Sequence, residues 1–253
     1  MNSALNMPEL PEVLKNMYKT GQTRDISGRN FKFHSGVTEE EAILLMKIIT
    51  DLNAQITLET GLACGASALA ICAAAIRNSS GSIHYAIDPN QNSDWCGSAL
   101  ASIDEAGYNK NFKLLEGKTH EMFHILLNNS IKLDFAFIDG WHTFDYTLVD
   151  FFFIDKILRL GGIVAFHDMN GLAKQKVLRF ILTHRNYEVE NEYRLYDKDR
   201  AKIWRYFLFR LYKQPRLLFS WYHWVYQTKT ASGLIVLRKK SNYEPDYSFY
   251  KPF

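Results

Sequence analysis

Cysteine is scarce in this chain of 253 residues: Cys64, Cys72 and Cys96 are the full set, with no CxxC pair and no ligand-like spacing to histidine. So odd and sparse a set argues against a secreted disulfide framework and fits a reducing compartment. No uncharged apolar run reaches the roughly 18 residues that span a bilayer. The opening stretch MNSALNMPELPEVLKNMYK has no basic start followed by an apolar run, so it does not read as a secretory signal. The expectation is a cytoplasmic protein. Charge imbalance is small too: a net +3 gives no footprint for nucleic acid, which is not an expected partner. Repeats and low-complexity tracts are missing. What remains, 47% hydrophobic and 23% charged residues, is the composition of a folded globule and not of a disordered chain.

The pattern along the chain alternates between the two secondary-structure periods. Residues 38–52 (TEEEAILLMKIITDL) predict a helix opened by a Thr38/Glu41 capping box, with Ile43, Met46, Lys47 and Ile49 on successive turns. A short β-branched strand follows at 56–60, then a small-residue helix at 65–77. Strands are predicted at 82–88, 111–115, 133–139 and 162–167, separated by helices near 95–107, 118–129 and 142–160. Continuous apolar strands joined through helices need both sheet faces covered, which gives a parallel sheet. Beyond residue 170 come a helix at 173–184, a strand candidate at 187–196 and a last strand at 233–240. The fold class is α/β: a Rossmann-like, doubly wound, mostly parallel seven-stranded sheet with helices on both faces. Residues 1–54 form an N-terminal helical cap or oligomerisation segment, and residues 55–253 form the main domain.

Open parallel sheets bind ligands beyond the carboxyl ends of their strands. There the sequence places Glu59, Thr60, Gly61 and Gly65 after the first strand, Asp88-Pro89 after the second, and Glu116-Gly117 after the third. The fourth strand ends in Asp139-Gly140-Trp141-His142 and the fifth in His167-Asp168. Glycines let the backbone turn closely against a ligand, and an acid at the end of the second strand can accept ribose hydroxyls. Each residue also has an ordinary reading. Gly61 and Gly65 suit any strand-to-helix turn, Asp88-Pro89 and Asp139-Gly140 suit plain turns, Asp168 suits a helix cap, and His167 suits a satisfied buried histidine.

Three runs carry a resemblance. LETGLACGASALAI resembles the first motif of class I S-adenosylmethionine-dependent methyltransferases, and HYAIDPNQ their ribose-binding motif. FAFIDGWHTFDYTLVDFFFIDKILRLGGIVAFHD is similar to a block of the small-molecule O-methyltransferase group, which includes macrocin-type and catechol-type enzymes. The resemblance covers about residues 55–170. It implies that Glu59, Thr60, Gly61, Gly65 and Ser67 hold the methionine and ribose end of S-adenosyl-L-methionine. Asp88 would take the ribose hydroxyls, Glu116 would lie near the adenine, and Asp139 would border the cofactor. It further implies a divalent cation, Mg²⁺ or a softer ion, held by Asp139, Asp168 and His167, with Asn170 nearby. Asp139 and His142 become the catalytic pair, because a histidine can take a proton from a hydroxyl acceptor. The implied acceptor is a small molecule: a sugar, polyketide or phenol. A nicotinamide oxidoreductase, which wants G-x-G-x-x-G, and a non-catalytic relative of the fold are the competing readings.

Residues 201–230, within an aromatic and basic insertion at 199–231, contain six Lys/Arg and no acid. Subunit contact in a homo-oligomer or a lid over the site is the favoured use of this segment. Peripheral contact with an anionic membrane is the next reading, and an anionic or nucleic-acid substrate the last. Pro215 should split it into two helices.

Overall fold

The computed structural model describes residues 8–169, 171–195, 200–213, 215 and 233–253. The chain begins with helix α1 (Glu12–Thr20) and an antiparallel hairpin, β1 (Gln22–Arg24) and β2 (Asn30–Lys32). Helix α2 (Glu39–Asp51) starts where its cap dictates. The Glu41 amide donates to the Thr38 hydroxyl at 3.3 Å, and the Thr38 amide donates back to the Glu41 carboxylate at 2.9 Å, closing the predicted box. The hairpin was not part of the helical reading of residues 1–54. Nor do these helices stand apart: Leu14, Met17, Leu45 and Met46 share one hydrophobic core with Leu69 and Phe137. Lys47, placed on the apolar face by spacing, turns outward and pairs with Asp51.

The remaining strands are β3 (Ile56–Thr60), β4 (Ile83–Ile87), β5 (Phe112–Leu115), β6 (Leu133–Ile138), β7 (Leu158–Phe166), β8 (Tyr187–Val189) and β9 (Ile235–Lys239). They form one seven-stranded sheet in the order β5-β4-β3-β6-β7-β9-β8. The pairs from β5 through β7 are parallel, while β9 runs antiparallel to both β7 and β8. This is the expected fold class. Between the strands lie α3 (Ala66–Asn78), α4 (Ser98–Glu105), α5 (Thr119–Asn128), α6 (Phe144–Ile157) and α7 (Leu172–His184), and a further helix, α8, covers Arg200–Lys213. Small side chains along α3, Ala68, Ala70, Ala74 and Ala75 among them, are fully or almost fully buried and let it pack closely. The two faces of the sheet carry separate cores, one under α1–α3 and one under α5–α7.

Two boundaries differ from the sequence reading. Strand β7 starts at Leu158, inside the expected helix, because Leu158 pairs with Leu133 across a bulge and Arg159 reaches Asp134 at 2.5 Å. The Leu-rich spacing of this stretch looks helical without those partners. Strand β8 stops at Val189 and the chain turns into a short 3₁₀ segment at Asn191–Tyr193. Its register is secured by a buried knot: Asp155 of α6 accepts from Tyr187 at 2.6 Å and pairs with Lys239 of β9 at 3.0 Å.

Helix α8 covers Arg200–Lys213, and the second helix expected beyond Pro215 lies outside the described residues. The second half of the aromatic segment, 216–232, and Asn170 lie outside the described residues. No helix among the described residues is long and apolar enough to cross a membrane.

Candidate active site

The chain leaves β3 in one direction to build β4 and β5, then returns to the other side of β3 to build β6. Such a reversal opens a crevice at the carboxyl ends of β3 and β6. A cavity of about 520 Å³ occupies it, lined by Thr60, Gly61, Ser67, Asp88, Asp139 and His142 among others. Trp95 and Trp141 also border it. Six expected site residues therefore meet in one place.

The floor is the turn from β3 into α3. Gly61 has φ +83°, and a methyl there would stand 2.5 Å from the Asp139 carbonyl oxygen, so no side chain fits. Asp88 braces this turn from the end of β4. One oxygen accepts from the Leu62 amide at 2.8 Å and the Ala63 amide at 3.2 Å, and the other from the Asn90 amide at 2.7 Å. A carboxylate has about four acceptor positions, so capacity remains for a ligand hydroxyl.

Five expected residues do not line the cavity: Glu59, Gly65, Glu116, His167 and Asp168. Glu59 is 0% exposed and points behind the wall, 3.4 Å from His84 Nε2, with neither oxygen hydrogen-bonded. Burial pushes its carboxyl above the usual range, only partly offset by His84. Gly65 instead caps α3 and packs against Ala99. Glu116 is exposed and clamps Asn92, accepting from its amide at 3.1 Å and its side chain at 2.5 Å. The neighbours Gly117, Lys118 and Thr119 reach the cavity in its place.

At the other end, the expected metal set needs correction. His167 is turned inward, with Nδ1 2.9 Å from Asp139 and Nε2 3.3 Å from Glu41. Burial lowers the imidazole pKa, but the two carboxylates outweigh it and raise it to about 10, so His167 is a cation. Glu41 in turn is held below the usual carboxylate range: burial opposes its charge, and the His167 contact prevails. Both ring nitrogens are thus committed. Among the described residues, the groups whose ligand atoms converge within 4.8 Å are Asp139, His142 and Asp168. Backbone geometry arranges this, for His142 and Asp168 both adopt the left-handed region, at φ 58° and 50°.

Sequence reasoning passed over two side chains here. Lys174 of α7 is 1% exposed, yet its Nζ donates to the His167 carbonyl at 2.8 Å and lies 2.7 Å from His142 Nδ1. Burial lowers its pKa, and the charges of Asp139 and Asp168 work against that fall. Burial, then Lys174, lowers that of His142 as well. Asp150 of α6 sits in the cavity wall, accepting from the Thr60 hydroxyl at 2.8 Å with its other oxygen unpartnered. Burial raises its carboxyl to about 6. An aspartate amid the apolar run TLVDFFFI was the available signal for Asp150, whereas Lys174, within KQK, carried none.

Residues 58–169 match the methyltransferase domain family. No curated protein matches the sequence. Among solved structures, the O-methyltransferase from Bacillus cereus in complex with SAH is similar at 13% identity, covering 93% of this chain and 94% of that one, with TM-score 0.63. The O-methyltransferase TomG from Streptomyces achromogenes, involved in tomaymycin synthesis and solved with SAM, is similar at 15% identity over 94% of both chains, with TM-score 0.63. Residues 58–169 thus match a methyltransferase domain, the kind of family that the three sequence motifs resemble, and the solved structures share the fold.

Proposed function

We propose that this protein transfers a methyl group from S-adenosylmethionine to an oxygen of a small molecule. The observation that carries the reading is the shared cavity at the switch point: the Gly61 turn, the Asp88 carboxylate and the Asp139–His142 end line one wall. That wall fits an adenosyl donor. Asp88 keeps acceptor capacity for ribose hydroxyls, Thr119 offers a polar partner to the base, and the α3 N-terminus presents amides to a carboxylate. The O-methyltransferases of similar fold support oxygen as the acceptor atom.

When bound, S-adenosylmethionine supplies an electrophilic methyl carbon on a sulfonium. What the chain supplies is alignment and a place for the acceptor's proton. His142 faces the cavity and hands Nδ1 to Lys174; with the lysine protonated, the ring proton sits on Nε2, which donates to the acceptor oxygen and orients it. Asp168, 3.7 Å from His142 Nδ1, takes the acceptor proton. His142 is then an orienting group, and deprotonation moves to the carboxylate. The divalent cation expected from sequence fits this set poorly. His167 already neutralises Asp139, and Lys174 already occupies His142.

The testing experiment is transfer of labelled methyl from S-adenosylmethionine to a panel of sugar, polyketide and phenolic hydroxyls. Transfer to oxygen supports the reading, and transfer only to nitrogen or carbon acceptors contradicts it.

The exposed side chains of α8, Trp204, Leu208, Phe209 and Tyr212 with Arg205 and Lys213, support contact with a second copy, one of the two uses favoured for this segment beside a lid. Light scattering of wild type and Leu208→Glu tests it: a dimer that the substitution splits supports the contact, and a wild-type monomer removes it. The free cysteines Cys64, Cys72 and Cys96 support a cytoplasmic setting.

A further inference from the structure

A lysine buried to 1% exposure needs a reason, because an unpaired ammonium inside a protein is costly. Lys174 has no salt bridge within 4 Å among the described residues, and its two hydrogen bonds go to neutral acceptors, the His167 carbonyl and the His142 ring. What surrounds it is charge of the opposite sign at slightly longer range. Asp139, Asp168 and Asp150 all act on it. It therefore sits against the place, among the described residues, where acids and a histidine converge as metal ligands would.

We propose that the Lys174 ammonium is the resident cation of this site, taking the place of a divalent metal and setting the ring orientation of His142. The charges close on that basis. Glu41, Asp139 and Asp168 bring three negative charges, and His167 with Lys174 bring two positive ones. With Asp150 holding its proton, the cluster is within one unit of neutrality before any ion arrives, and once Asp150 ionises it is within two. A divalent ion would have to share His142 with an ammonium at 2.7 Å and Asp139 with an imidazolium at 2.9 Å. Asp168 is largely exposed and meets only longer contacts, His142 at 3.7 Å and His167 at 3.8 Å, and one loosely held carboxylate is too little for a hard cation that prefers several oxygen ligands. Lys174 is a positioning residue in this scheme. It reaches the acceptor through His142, and it holds the two carboxylates close without an ion between them.

The inference rests on the methyltransferase reading only for the location of the acceptor, so its test is run without donor or acceptor. Mn²⁺ is titrated into the full-length protein and followed by electron paramagnetic resonance, with S-adenosylhomocysteine binding measured separately. Wild type is expected to show no saturable Mn²⁺ site up to millimolar metal. Lys174→Met should gain one, with affinity at least about tenfold tighter, because the freed His142 ring and both carboxylates become available. Lys174→Arg should exclude Mn²⁺ as wild type does. A stoichiometric wild-type site that Asp168→Asn removes would overturn the proposal, as would a folded Lys174→Met that gains nothing. If Lys174→Met does not fold, the wild-type titration with Lys174→Arg still decides. Loss of S-adenosylhomocysteine binding by wild type would count against the methyltransferase reading and leave the Mn²⁺ result intact.

Discussion

Glu41 and His167, 126 residues apart in sequence, stand 3.3 Å apart in space. The same Glu41 oxygen accepts from the Thr38 amide at 2.9 Å. One side chain therefore both starts α2 and reaches the end of β7, where the site lies. Glu41→Ala removes a capping interaction and one of the two carboxylates facing a buried imidazolium. The expected loss is roughly 2–3 kcal/mol, less than for an ion pair broken outright because Asp139 remains. Denaturant unfolding measures it, and an unchanged midpoint would mean that α2 folds independently of the site.

Gly61 lies against the Asp139 carbonyl with no room for a methyl, and its φ of +83° is one that other residues resist. Gly61→Ala must move β3 or β6 at the cavity floor. We expect destabilisation of roughly 2–4 kcal/mol and loss of donor binding together. Thermal melts with and without S-adenosylhomocysteine check both. A variant that still gains wild-type thermal stabilisation from the ligand would show that the turn is not part of its site.

Asp150 gives a pH dependence of definite sign. Its folded carboxyl holds the proton up to about 6, while the unfolded one releases it near the ordinary value, about 4. Its share of stability is thus intact below about pH 4 and is lost as pH rises through 6, a change of about 3 kcal/mol at most. Asp150→Asn keeps an acceptor for the Thr60 hydroxyl and carries no charge. Its stability relative to wild type should improve as pH rises from 4 to about 7 and then level off. Unfolding free energies of both proteins across that range test this. A difference constant with pH would mean the buried acid does not titrate as described.

Much of this architecture was legible because its causes are local. Apolar runs mark β3, β4 and β6, the Thr38/Glu41 box marks the start of α2, and an acid ending an apolar strand marks Asp88 and Asp139. The errors share a different cause. Glu59 follows its strand's alternation away from the cavity and toward His84, which only the pairing of β3 with β4 reveals. His142 and His167 each neighbour acids in sequence. Which one joins Asp168 depends on the left-handed backbone at His142 and on Glu41 arriving from α2. Lys174 reads as a solvent-facing lysine until α7 is laid over the sheet. Early entry into β7 likewise depends on Leu133 and Asp134, far away in sequence.

Calorimetric titration of wild type and Asp88→Ala with S-adenosylhomocysteine, and of wild type with NADH, bears most directly on the central claim. The account expects one site on wild type, no comparable NADH binding, and at least about a hundredfold weaker S-adenosylhomocysteine binding by Asp88→Ala, since charged hydrogen bonds to the turn and to the ligand are lost together. Wild type that ignores S-adenosylhomocysteine at millimolar concentration, or prefers NADH, would contradict it.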